Sequence, residues 1–247
     1  MNLNRPSFYF AAFAITAATL TGCASGNYYL PGTPLISPEA IGPGGRGHLD
    51  LVGLQGGKQL LGTPQQGARD PNTAILPTPV LPTSFPNLFL GIWFPVDEET
   101  DLGIRLSANA PLLLSVRRQL NGNTRSTSQP GNFSISLVGS GGLLLGSGTQ
   151  YWLVEAAAPV GYRLWQHHLF SLTPSFRLGG LQGDALPATG AMTPFSAALG
   201  YQYDVASLIF RFEGAWAAGT FARSNGDVST GGTLFGLSLG FRIDPSP

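Results

Sequence analysis

The sequence predicts an all-β fold, an antiparallel transmembrane β-barrel of about ten strands, on three observations. Segment after segment alternates an apolar residue with a small or polar one, which is the period of an extended strand rather than of a helix. The 34 glycines and 20 prolines among 247 residues break up any long helical run. Only 11% of residues are charged against 43% apolar, whereas a soluble domain carries about 25% charged residues to meet water. An aromatic share of 11% argues equally against a solvated, disordered chain.

The N-terminal element is a leader. Arg5 gives a short positive start, residues 8 to 20 are uncharged and mostly apolar, and small residues follow, as in an export signal too short to span a bilayer. It ends in Leu20-Thr21-Gly22-Cys23. This run resembles the lipobox of bacterial lipoproteins, and the resemblance implies that residues 1–22 are removed and that Cys23 receives diacylglycerol and a palmitate-type acyl chain. Ala24, rather than Asp, implies delivery to the outer membrane of a Gram-negative cell. A thiol suits that role because its thiolate is a strong nucleophile near neutral pH. Cys23 is the one cysteine, which removes disulfide frameworks and thiolate metal sites from consideration.

Residues 23–45 carry Pro31, Pro34, Pro38 and Pro43 among glycines and read as an extended tether without packed structure. Strands are expected at residues 46–55, 87–95, 100–108, 111–120, 132–141, 150–164, 169–179, 194–203, 206–217 and 231–243. An eight-stranded ring, with the first pair packed elsewhere, is the alternative count. The clearest segment sets Phe235, Leu237, Leu239, Phe241 and Ile243 against Gly236, Ser238, Gly240 and Arg242. Phe170, Leu172, Phe176 and Leu178 oppose Ser171, Thr173, Ser175 and Arg177 in the same way. The Pro-rich stretch 56–86 is expected as a long loop or plug, 180–193 and 218–230 as further long loops, and 244–247 as a tail.

The small and ionic face suits a crowded interior. The apolar face, with aromatics at Trp93, Phe94, Trp152, Tyr162, Tyr201, Tyr203, Trp216 and Phe241, suits a lipid-facing wall with interfacial girdles. Backbone polar groups in lipid are satisfied only by helices or closed barrels, and helices are excluded here. An even strand count puts both termini on the periplasmic side, in line with a lipid in the inner leaflet. Residues 87–243 resemble the small bacterial outer-membrane β-barrel proteins, and Gly236, Leu239 and Phe241 match the C-terminal signal through which that family meets its assembly machinery. The partners implied are outer-membrane lipids, the lipoprotein-processing enzymes and the barrel-assembly machinery.

Kept in phase, the inward set includes Asp101, Arg105, Arg117, Glu155, Arg163, Arg177, Arg211, Glu213 and Arg242. One reading is a network of ion pairs that fills the interior, since a lone buried charge is too costly. The other is an arginine-biased constriction that favours small anions. Catalysis is not expected: His48, His167 and His168 are not placed beside a serine, and the run around Ser140 lacks the first glycine of a nucleophile elbow because Val138 stands there. No cofactor or metal is expected, the acidic group Asp97-Glu98-Glu99-Asp101 reading as a solvated turn. Zero net charge with Lys58 as the one lysine excludes nucleic acid as a partner. The function expected is a lipid-anchored outer-membrane barrel that acts as a narrow passive channel or in a structural or surface-interaction role. The alternative is a periplasmic, lipid-anchored soluble β-barrel or sandwich that binds an apolar ligand.

Overall fold

The computed structural model describes residues 28–29, 35–42, 47–57, 60–62, 87–107, 111–146, 149–183, 190–192, 195–205, 207–223 and 228–243. The leader, Cys23, residues 63–86 of the Pro-rich stretch and the tail 244–247 lie outside them. Every regular element among the described residues is a strand. In chain order the long ones are β1 (Gly47–Gly57), β2 (Asn87–Pro95), β3 (Thr100–Ser107), β4 (Leu112–Asn121), β5 (Phe133–Gly146), β6 (Thr149–Ala157), β7 (Val160–Trp165), β8 (His168–Gly183), β9 (Phe195–Val205), β10 (Leu208–Arg223) and β11 (Val228–Ile243).

β6 and β7 are two halves of one strand, since both pair with β5 on one side and with β8 on the other. Pro159 causes the break, because it has no N–H to donate to a ladder. The neighbouring chains step over it: the Ala158 N–H donates to the Pro174 carbonyl at 3.0 Å, and the Ser136 N–H donates to the Pro159 carbonyl at 3.0 Å.

Counting β6 and β7 once, the sheet has ten antiparallel strands. Each pairs with the next in sequence, and β11 pairs back to β1 from Leu234↔Gly57 to Ile243↔Gly47, so the pairing closes into a ring. The alternative of eight strands is thereby overturned, because Gly47–Gly57 is paired on both edges, to β11 and to β2. One end of the ring, here the turn end, carries Gly47, Ile243 and the connections β2–β3, β4–β5, β7–β8 and β9–β10. The other, the hairpin end, carries the remaining connections.

Several strands run further toward the hairpin end than their side-chain pattern indicates. β5 continues to Gly146, β8 to Gly183 and β10 to Arg223, and β11 already begins at Val228. Residues 180–183, 190–192, 218–223 and 228–230 of the expected loops 180–193 and 218–230 are ladder instead. Glycine-rich sequence such as Gly139-Ser-Gly-Gly142 carries no alternating apolar signal, yet its backbone groups still need partners and find them across the strand.

The two faces of the ring differ in kind. Phe94, Leu102, Leu114, Leu137, Trp152, Leu164, Phe170, Leu172, Phe195, Leu199, Phe212 and Trp216 point outward and are exposed, from 39% at Trp152 to 69% at Leu199. Ser115, Ser134, Ser136, Ser140, Thr173, Ser175, Ser196 and Ser238 point inward and are buried together with the charged residues. Trp93 departs from expectation. It is buried inside rather than on the apolar wall, because only one of the adjacent pair Trp93 and Phe94 can face outward, and Phe94 does. Its indole lies over Gly103 on β3, where a Cβ would come within 2.7 Å of the ring.

Candidate functional site

The interior of the ring brings together the charged residues that alternation assigned to it. Asp101, Arg117, Glu155, Arg163, Arg177, Arg211 and Glu213 are all buried, and Arg105 and Arg242 are partly so. They fall into two clusters, set by where each strand's inward positions lie along the ring axis.

The mid-ring cluster is built from the wall alone. Glu155 on β6 is salt-bridged to Arg177 on β8, its register partner, and lies 3.7 Å from Arg105 on β3. Tyr151, Leu153 and Leu113, none more than 1% exposed, cover it toward the hairpin end. Two serine pairs, Ser115–Ser140 at 2.8 Å and Ser175–Ser196 at 2.6 Å, tie adjacent strands on the inner face.

The turn-end cluster needs a further piece of chain. Residues 35–42, within the stretch expected to be an unpacked tether, lie inside the ring with every residue buried. Glu39 is at its centre. Its carboxylate accepts from Arg163 Nε at 3.0 Å, from Asn132 Nδ2 at 3.0 Å and from Ser128 Oγ at 2.6 Å. Arg163 also reaches Asp204 at 3.0 Å, and Arg242 lies 3.4 Å from the same carboxylate. Asp101 is salt-bridged to Arg117, whose Nη1 donates to the Ser37 carbonyl at 2.9 Å. The Arg117 guanidinium also sits 4.9 Å from the centre of the Trp93 ring, a cation–π contact.

Main-chain groups of the inserted segment are satisfied by inward side chains, as buried backbone must be. Leu35 N–H donates to Glu213 Oε2 at 2.8 Å, Ala40 N–H to Gln119 Oε1 at 2.7 Å and Ile41 N–H to Asp101 at 3.2 Å. Arg211 Nη1 donates to the Leu35 carbonyl at 3.2 Å and Nε to Gln202 at 2.8 Å. Arg125 N–H donates to the Ala40 carbonyl at 2.8 Å. Ile36 and Ile41 join Trp93, Val138 and Ala157 in one apolar cluster. Gly42 leaves the interior at φ 82°, a left-handed conformation glycine adopts freely, and a side chain there would strike Thr124 and Ser126.

The segment itself was not among the expected site residues, although Asp101, Arg117, Arg163, Arg211 and Glu213, which hold it, were. One signal for it does exist in the sequence: Glu39 is the one charged residue between Arg5 and Arg46, flanked by Leu35-Ile36 and Ala40-Ile41. An isolated carboxylate among apolar residues wants a buried cation. Gln202 and Asp204 share the inward phase of β9 but were not among the expected site residues, and Gln119 and Asn132 sit within two residues of a turn, where alternation is too short to assign a face.

The remaining candidates do not assemble. Ser140 hydroxyl bonds Ser115, and His168 Nδ1 is 2.8 Å from the Tyr201 hydroxyl on the outer wall. Asp97 and Asp101 part company: Asp101 turns inward, while Asp97 accepts from the N–H groups of Glu99 and Thr100 at 2.8 and 2.7 Å in the exposed β2–β3 turn. Those donors, that of Glu99 first, hold the Asp97 carboxyl below the usual carboxylate range. Among the described residues no three His, Cys, Asp or Glu side chains converge as metal ligands would. Gly236, Leu239 and Phe241 lie on β11, Gly236 buried on the inner face and the other two half-buried.

No family model and no curated protein matches this chain. Its geometry therefore carries the functional argument unaided.

Proposed function

We propose that the ring is a β-barrel spanning the outer membrane of a Gram-negative cell, tethered in addition by a lipid on Cys23, with a non-enzymatic structural or surface-interaction role. The observation that carries this is the inversion of the faces: exposed Phe, Leu and Trp side chains run around the outside, while serines and ion pairs fill the inside. Apolar patches larger than several hundred Å² are rare on soluble monomers. Hydrocarbon is the surroundings such a wall suits, and a closed ring leaves no unpaired edge to bury in it. The soluble alternative requires the opposite arrangement, with its apolar side chains inside.

An aromatic group at the turn end adds support. Trp165, His168, Tyr201 and Tyr203 form edge or tilted contacts with ring centroids 5.0–5.9 Å apart, beside exposed Tyr162. Barrels place such amphipathic rings at the level where lipid headgroups meet water. The processing enzymes for Cys23, the assembly machinery that reads the β11 sequence and the surrounding lipids are the partners this reading implies.

A filled interior favours a closed protein over an open pore. The six arginines of the inner wall keep a second reading alive, a narrow path for small anions that conducts only when residues 35–42 are withdrawn. Planar-bilayer recordings on a variant lacking residues 35–42 separate the two: silence of a folded, heat-modifiable variant removes the channel, and steps carried by anions favour it.

Heat-modifiable migration in detergent gels tests the barrel itself. The unboiled protein is expected to run faster than the boiled one, and Cys23→Ala is expected to stay in the membrane fraction. Release of that variant into detergent-free buffer as a monomer would refute the membrane reading.

A further inference from the structure

Residues 35–42 have a direction inside the ring. Gly42 lies at the turn end against Thr124 and Ser126, and the Ile41 carbonyl accepts from the Ser126 N–H at 3.3 Å. Leu35 is held by Arg211 and Glu213, which stand further along β10, away from its turn-end residue Leu208. Followed toward the N-terminus, the chain thus climbs from the turn end into the ring.

A second pairing shows where it goes. Tyr28–Tyr29 pairs antiparallel with Leu60–Gly62, and Leu60 follows shortly after Gly57, the hairpin-end residue of β1. Tyr29 therefore lies at the hairpin end while Leu35 lies inside. Six links join them, which reach at most about 22 Å when fully extended. A route outside the wall would have to descend the full height of the ring, pass the turn end and climb back. The 11 residues of β1 alone cover about 36 Å of strand, or about 28 Å of height at the usual barrel tilt. The only route short enough enters through the hairpin end.

We propose that the N-terminal segment is threaded through the ring, so that the start of the mature chain and the end of β11 emerge from opposite ends. On the membrane reading given above, on which this rests, Cys23 follows Tyr28 to the hairpin end. It is five residues before Tyr28 and so within about 18 Å of it. Outer-membrane barrels keep their short turns on the periplasmic side and their longer connections outside. The acyl chains attached at Cys23 then sit in the outer leaflet, at the cell surface, while Ile243 ends on the periplasmic side. The expectation that both termini and the lipid share one side gives way to a chain that is pinned across the membrane by its own lead segment.

Labelling at the two ends tests this. With Cys23 acylated, Tyr28→Cys and Ser246→Cys each supply the one free thiol, and a membrane-impermeant maleimide is applied to intact cells and then to cells with a permeabilised outer membrane. Tyr28→Cys is expected to label in intact cells and Ser246→Cys only after permeabilisation. Tyr28→Cys hidden until permeabilisation, or both thiols open from the same side, overturns the threading while heat-modifiable migration leaves the barrel standing. Loss of both proteins from the membrane fraction instead removes the membrane reading. In that event the purified Pro38→Cys/Gly161→Cys variant decides whether the segment is inside: the Pro38 ring occupies the place a Gly161 side chain would take, so an intramolecular disulfide is expected. Failure of that disulfide to form in a folded protein overturns the insertion.

Discussion

The two charge clusters inside the ring differ in what completes them. At mid-ring, Glu155, Arg177 and Arg105 come from β6, β8 and β3, so ring closure by itself assembles the group. At the turn end, Arg163 of β7 is met by Glu39, 124 positions earlier in the chain, as well as by Asp204. Glu155 stands between two arginines in the first cluster, whereas Arg163 stands between two acids in the second. The difference teaches that the wall specifies its own middle, while its turn end is specified jointly with a segment that is not part of the wall. The clusters should therefore respond unequally to loss of one carboxylate.

The largest effect is expected from Glu155→Gln, which leaves buried Arg177 and partly buried Arg105 without the carboxylate between them. Breaking a buried pair in this way costs about 3–5 kcal/mol, and it should appear as a marked drop in the temperature at which the fast-migrating gel band converts to the slow one. Glu39→Gln should cost less, about 1.5–3 kcal/mol for a hydrogen-bonded charge, because Asp204 still holds Arg163 at 3.0 Å. If Glu39→Gln lowers that temperature more than Glu155→Gln, the ranking of the clusters is wrong and the inserted segment dominates stability.

Gly103→Ala probes the seam between wall and segment, since the new Cβ presses on Trp93 beneath the Arg117 contact. Overpacking of about 1 kcal/mol is expected, with a shifted Trp emission spectrum as the readout; an unchanged spectrum would mean that the indole does not fill that space. The smallest effect belongs to Asp97→Ala, outside both clusters. The folded Asp97 carboxyl titrates below its ordinary value, so its contribution is present above the ordinary carboxylate range and fades as pH falls through the lowered one. Conversion temperatures of wild type and Asp97→Ala should therefore converge in strong acid. A gap that widens there would contradict the turn geometry.

The strand plan was legible because a one-residue step flips a side chain between faces, and residues such as Leu172–Thr173 or Phe212–Glu213 differ too much to share one. All nine inward charges followed from that phase. Where side chains carry no contrast, as in the glycine-rich ends of β5 and β8, the phase is silent although the ladder continues. Trp93 was misplaced because the neighbouring Phe94 is equally apolar, and only the facing Gly103 decides between them. The inserted segment was hidden for another reason: Pro38 and the surrounding glycines describe how residues 35–42 run, outside any helix or strand, but not what surrounds them. Their hydrogen-bonding partners on the wall lie between 60 and 178 positions away, beyond any local pattern.

The join between β1 and β11 has a consequence for the order of biogenesis. Every other neighbouring pair in the wall is adjacent in sequence, so hairpins can zip locally as they are made, but Gly47–Gly57 must wait for Val228–Ile243. Contacts between such distant positions form late, because the intervening chain must first be drawn together. Until that last zipper shuts, the nascent sheet has two raw margins, and residues 35–42 have an open side through which to settle. Once it shuts, the segment is captive.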